Sequence, residues 1–419
     1  MKKLITVLLA LLIFYLTFNI ENCRCQWVQM SDVMGTNQIA YRLVSNGTYI
    51  FAMTIGTGVY RSSNNGVNWT AVNNGIPIQQ IAYFRGIIVN GNNIFLGLSG
   101  GYGIYRSSDN GNNWIAVNNG FTNQGFNCLV SDGTNIFAGN SWSGVYLSTN
   151  NGANWNSVSN GLPSATINSI IINGTNIFAG TYMNGVYRST NNGGIWTYAG
   201  TGLPNQIINC LASSGTNIFA GTDTAGTGGV YISTNNGGSW SQTSLNNTNV
   251  YGLTSYGSNL FAGTWSATIS GAFLSTNNGI NWINKNQGFN LNMGVASILF
   301  ANNYLFAGTN QSVWRRSYTE AIGIKQISEQ VPSKYSLEQN YPNPFNPSTN
   351  IRYELPKNSF VKKVVFDMLG REIETLVNEK QSAGTYEVTW DATKYPSSVY
   401  FYRLTTDGFS ETKKMLMIK

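Results

Sequence analysis

One eight-residue box recurs six times in this chain, and no other feature limits the fold as tightly. The pattern Ser-x-Asn/Asp-x-Gly-x-x-Trp appears as SSNNGVNW (62–69), SSDNGNNW (107–114), STNNGANW (148–155), STNNGGIW (189–196), STNNGGSW (233–240) and STNNGINW (275–282). Successive tryptophans lie 41 to 45 residues apart. A fixed period of that size marks stacked supersecondary units. A second element, an apolar run with a Gly and then an aromatic strand, precedes each box. It occurs seven times, centred on Phe51, Phe95, Phe137, Phe178, Phe219, Phe261 and Phe306. The seventh copy runs through Ser312-Val313-Trp314-Arg315 and has no box after it.

Each unit reads as four short strands: an inner one such as 167–172, the IFAGT run, the VYRS run, and an outer strand starting at the Trp. Four strands at this period are the signature of propeller blades. The outer strand missing from the seventh unit is expected from Gln26-Trp27-Val28-Gln29-Met30, which resembles Asn68-Trp69-Thr70-Ala71-Val72. Such a pairing ties the ring shut and removes a free edge. The expected fold class is therefore all-β: a seven-bladed β-propeller over 26–317, then a small C-terminal β-sandwich domain.

The boxes resemble the Asp-box, or BNR, repeats of sialidase-like, sortilin-type and photosystem II assembly factor propellers. The resemblance implies that the box residues are scaffold: Ser62, Asn64, Gly66 and Trp69; Ser107, Asp109, Gly111 and Trp114; Ser148, Asn150, Gly152 and Trp155; Ser189, Asn191, Gly193 and Trp196; Ser233, Asn235, Gly237 and Trp240; Ser275, Asn277, Gly279 and Trp282. An Asn or Asp side chain bonds N–H groups of its own turn, and Gly accepts a positive φ. The Trp is expected to pack between strands and turn. Asn replaces Asp in five of the six boxes, so the turn is retained while calcium binding is not expected.

Residues 1–25 form a class of their own. Lys2 and Lys3 precede an apolar run from Leu4 to Phe18, and the polar segment Asn19–Cys25 follows. This is the layout of a secretory signal peptide, with cleavage expected near Cys25. The apolar run is shorter than the ~20 residues that usually span a bilayer. Two further cysteines, Cys128 and Cys210, occupy equivalent positions two repeats apart, with Ser169 between them. They are expected as small packed residues of inner strands in non-adjacent blades, too far apart for a disulfide.

The chain contains no histidine. Ser-His-Asp and Cys-His catalysis, histidine bases and histidine metal sites are thereby removed. No metal and no cofactor is expected. Carboxylates between 26 and 318 are Asp32, Asp109, Asp132 and Asp223, a poor supply for the facing pair of a glycosidase. Of the sialidase pattern only Phe84-Arg85-Gly86-Ile87 survives as a fragment, and Arg61, Arg106 and Arg188 repeat at one scaffold position. The formal charge of +7 includes a signal segment with three basic residues against one acid. The eight basic and four acidic residues of 26–318 are spread over many turns, without the clustered basic face that nucleic-acid binding wants. The chain is thus expected to be no enzyme.

Binding is expected in the loops that break the repeat. Boxes lie on the turn between the third and fourth strands, so the loops after IFAG fall on the opposite face. There Tyr102, Trp142, Tyr182 and Trp265, with Asp223 among them, are candidates to ring one mouth; the alternative is that they fold over their own blades. Aromatics of that kind suit sugar rings or protein hot spots. A glycan-active hydrolase using Asp223 or Asp32 stays open as the second reading.

Residues 318–334 read as a linker. Beyond them, Thr349–Leu355, Val361–Met368, Thr385–Asp391, Val399–Thr405 and Thr412–Ile418 read as strands, with turns at 369–372 and 382–384. The motifs NYPNPFNPSTNIRYELP, VVFDMLGREIETL, AGTYEVTWDA, VYFYRL and TKKMLMIK resemble the type A sorting domain of the type IX secretion system over 335–419. That resemblance implies export through the periplasm to the outer surface or medium, with the translocon and its sorting peptidase as partners. It also implies removal of the domain and makes Lys413, Lys414 and Lys419 candidates for translocon contact. An extracellular glycan or protein is the remaining partner class.

Overall fold

The computed structural model describes residues 26–30, 38–77, 79–80, 84–142, 144–204, 207–223, 227–328 and 330–419. The expected signal segment and Asp32 lie outside these. Seven four-stranded antiparallel sheets follow one another among the described residues. Their inner strands are Ala40–Ser45, Phe84–Asn90, Phe126–Ser131, Ile167–Asn173, Ile207–Ser214, Val250–Tyr256 and Val295–Ala301, and they define blades 1 to 7. The IFAG-type second strands are buried along their whole length in every blade but for one or both terminal residues in some. Both faces of each such strand meet a neighbouring blade, which explains why the runs are continuously apolar instead of alternating.

Blade 7 takes its outer strand from the other end of the chain. Val28 pairs with Arg315 and Gln29 with Trp314, as the match between Trp27 and Trp69 predicts. Trp27 is buried, and its indole donates to the Lys285 carbonyl of blade 6 at 2.7 Å. Trp114, Trp155, Trp196 and Trp240 make the same bond to the preceding blade, at Val72, Val117, Val158 and Ala199, over 2.7–2.9 Å. In these five positions the tryptophan is thus a latch between blades, a wider role than packing between strand and turn.

The boxes are nearly superposable in their bonding. The Ser hydroxyl donates to the Asn or Asp Oδ1 at 2.8–3.0 Å and accepts the Gly N–H at 2.8–2.9 Å. The residue before that Gly, always Asn, holds a left-handed φ of 52–58°, which Asn tolerates better than most residues. Arg61, Arg106, Arg188 and Arg315 each donate to the carbonyl of that Asn in the next blade, at 2.6–3.0 Å. Arg315 does so from blade 7 to Asn65 of blade 1, across the closure.

Residues 318–334 are not a free linker. Tyr318–Ala321 forms a helical turn against blade 7, and Ile324–Ser328 is a strand of the C-terminal domain. That domain is a two-sheet sandwich. One sheet runs in the order Ile324–Ser328, Gly384–Asp391, Ser348–Leu355, Ser336–Leu337; the other Glu372–Gln381, Ser359–Phe366, Ser398–Thr406, Phe409–Met417. The core between them includes Ile351, Tyr353, Val365, Trp390, Tyr402 and Met415. The strand Glu372–Gln381 is additional to those expected, because its charged residues suit an edge and hide its alternation.

Candidate functional site

Every inner strand of the propeller breaks register at the same place. The shifts fall at Ala40/Arg42, Phe84/Gly86, Phe126/Cys128, Ile167/Ser169, Ile208/Cys210, Val250/Gly252 and Val295/Ser297. A bulge carries one extra residue and re-aims its side chain. The extra residues are Tyr41, Arg85, Asn127, Asn168, Asn209, Tyr251 and Ala296. All but Ala296 line one cavity of about 250 Å3, together with Arg42, Tyr182, Ile207 and Asp223. Below it, the residues after the bulges and their neighbours line the axial channel, a cavity of about 210 Å3.

The mouth has chemically distinct sectors. On blades 1 and 2, Arg42 lies over the Tyr41 ring at 4.6 Å and Arg85 at 5.9 Å, and Arg42 donates to the Ala296 carbonyl at 3.2 Å. Three asparagines at one repeat position follow on blades 3 to 5. Asn127 accepts from Ser141 at 3.0 Å, and Asn209 donates to the Val250 carbonyl at 3.2 Å. On blades 5 and 6, Tyr251 donates to Asp223 Oδ2 at 2.8 Å. Burial, then the Asp223 carboxylate, push the Tyr251 phenol well above the usual tyrosine value, so it stays a donor at neutral pH. In the channel, burial pushes the Cys128 and Cys210 thiols up to about 12. Both are free cysteines that donate to carbonyls of the next blade, as packed residues should.

Of the five loop residues expected at a mouth, Tyr182 and Asp223 line the cavity. Trp265 stands behind them, edge-on to Tyr251 at 6.2 Å. Its ring lies so close to Gly294 that a Cβ there would come within 2.5 Å of it. Tyr102 is half-buried against the core between blades 1 and 2. Trp142 is 54% exposed and Tyr182 46%, and Trp142 is not among the cavity-lining residues. The six bulge residues were missed by loop-based reasoning. A signal existed, since Asn127, Asn168 and Asn209 each stand one place before the aligned Cys128, Ser169 and Cys210.

The mouth can bind hydroxyls, amides and carboxylates, but its acid–base equipment is thin. Asp109 sits in a box and Asp132 in the turn between first and second strands, both on the face opposite the mouth. Asp223 is therefore the mouth's one carboxylate among the described residues. No group of three His, Cys, Asp or Glu side chains gathers among them to hold a metal. In the C-terminal domain, Lys413 pairs with Glu411 at 3.3 Å, Lys419 Nζ donates to the Thr393 carbonyl at 2.8 Å, and Lys414 is exposed.

Residues 339–419 match the family described as the secretion system C-terminal sorting domain. The chain thus carries the address for export to the cell surface or beyond through the type IX system. No helix among the described residues is long and apolar enough to cross a membrane. No curated protein matches the chain. Among solved structures, it is similar to YCF48 from Cyanidioschyzon merolae, with a TM-score of 0.53 and 14% identity over 70% of this chain and 99% of that one. It is also similar to PorZ, a surface component of the type IX secretion system of Porphyromonas gingivalis, with a TM-score of 0.55 and 15% identity over 91% of this chain. An ancestral GH74 enzyme is similar at a TM-score of 0.55 and 14% identity over 93% of this chain. The chain spans 60% of the PorZ structure and 63% of the GH74 structure. At these identities the likeness establishes the propeller fold and nothing finer.

Proposed function

We propose that this chain is a secreted or cell-surface binding propeller that holds a glycan at its axial mouth without turning it over. The observation that carries the reading is the convergence of six bulge residues on one cavity. Three asparagine amides and two guanidiniums offer donors and acceptors spaced around a ring, which suits a ligand rich in hydroxyls. Tyr182 adds a half-exposed aromatic face at the rim, and Asp223 a charged acceptor. A few placed polar groups around a concave site fix ligand orientation.

The second reading, a glycan-active hydrolase, draws on the Tyr251–Asp223 pair. A hydrolase of the usual kind needs two carboxylates flanking the bond, and the raised phenol is a weak nucleophile. The two readings separate in one experiment on the mature chain. Glycan-array hits followed by calorimetry should give binding, and Asn168→Ala and Asp223→Ala should each weaken it ~10–100-fold, the loss of a hydrogen bond to a charged or buried partner. Release of reducing sugar by the wild type, abolished in Asp223→Ala, would establish the hydrolase instead. Blank arrays with capture of a defined protein would move the ligand class from glycan to protein.

A further inference from the structure

We infer that the sorting domain is completed by a strand belonging to the propeller side of the chain, and that this strand holds the two together even after the connection is cut. The family match begins at residue 339, yet Ile324–Ser328 forms the edge strand of the domain's first sheet. It pairs antiparallel with Gly384–Asp391, with Ile324 opposite Val388, Lys325 opposite Glu387, Gln326 opposite Tyr386 and Ser328 opposite Thr385. Ile324 is fully buried and belongs to the domain's own core with Leu337, Ile351 and Val388. Without Ile324–Ser328, the part of the chain from Ser336 onward therefore has an open edge at Gly384–Asp391 and a gap in its core, and both are filled by the segment that follows directly on the propeller.

The donor strand is tethered closely to the propeller. Ser317 ends the third strand of blade 7, and Tyr318–Ala321 is helical immediately after it. Tyr318 is buried against Phe300 and Tyr256, and Ile322 packs against the cores of both blade 7 and the domain. On its other side the strand leads to Ser333 and Lys334, which are exposed. A cut there leaves Ile324–Ser328 on the propeller fragment while its ladder partner stays on the domain fragment. Strand addition of this kind draws its affinity from main-chain hydrogen bonds and from pockets for alternate side chains. Breaking the covalent connection at 330–334 therefore does not by itself release the domain; the strand must also be withdrawn.

The test uses the full mature chain with a site-specific protease sequence inserted between Ser333 and Lys334. After complete cleavage, the two fragments should co-elute in size-exclusion chromatography and separate only when denaturant is added. The same chain carrying Ile324→Asp should give two peaks after cleavage without denaturant, while the uncut variant keeps the propeller's melting transition. Should that substitution prevent the domain from folding, Ile324→Ala replaces it, and the denaturant concentration at which the fragments part should fall. Separation of the wild-type fragments on cleavage alone overturns the inference. So does co-elution that is indifferent to both substitutions, which would assign the hold to the surface contact near Gly257 and Asn378.

Discussion

Single residues in this molecule divide into those that repeat and those that stand alone. Ser148 represents the first kind: its hydroxyl donates to Asn150 and accepts the Gly152 N–H, and it is fully buried. Ser148→Ala leaves that N–H buried without a partner, at a cost of about 1–3 kcal/mol. The expected outcome is a melting temperature lower by several degrees, and a shift below about 1 °C in thermal denaturation would count against the box as a stabilising turn. Lys363 represents the second kind. It is fully buried in the sandwich core, donates to the Ile351 carbonyl at 3.2 Å and lies 4.3 Å from the Tyr353 ring centre. Burial depresses its pKa well below the usual lysine value. The unfolded chain, titrating near ~10.4, then binds more protons than the native one in the window between the two values. Stability must therefore rise as pH climbs through that window and carry the full penalty below it. Lys363→Met should stabilise the domain at neutral pH and flatten its stability between neutrality and about pH 10. Hydrogen exchange within 348–417 across a pH series reads both effects.

At the scale of elements, most of the fold was legible because the repeat supplies six or seven independent readings of each strand. The closing strand was legible for the same reason, since Trp27 stands where the box tryptophans stand and makes the bond that Trp114, Trp155, Trp196 and Trp240 make. It buries its ring against Phe289 at 4.8 Å and takes the Gln287 carbonyl on its main-chain N–H at 2.8 Å. Trp27→Ala should cost about 3–5 kcal/mol, and deletion of 26–30 at least as much. Calorimetry of the propeller transition checks this, and an unchanged melting temperature in both variants would rule the closure out as a stabilising contact. The elements that escaped sequence reading lack such redundancy. Ile324–Ser328 is five residues long with Lys and Gln inside it, and its partner lies some sixty residues further on. Nothing local announces a strand whose reason to form is an edge elsewhere. The mouth was half legible: its loops were identified by where the pattern breaks, but the bulges sit inside regular-looking strands. Simple alternation assigns their side chains wrongly, because a bulge flips the parity of every later residue in its strand.

For the molecule as a whole, the two faces of the propeller carry different features. The axial cavity opens on the face of the loops after the second strands, where Tyr182 and Asp223 sit. The third strand of blade 7 ends at Ser317 on the box face, and the sorting domain continues from there, near the turn at Gly257. The sorting domain thus departs from the face opposite the mouth. The ring closure has a consequence in time as well as in space. Trp27 must find Lys285, 258 positions further along the chain, so its partner is among the last parts of the propeller to be made. Closing a loop of that length costs about 5 kcal/mol of chain entropy, which nearby blade pairs do not face. Blades can therefore assemble one on the next as an open arc, and Trp27 with the strand Val28–Gln29 is the last to find its place.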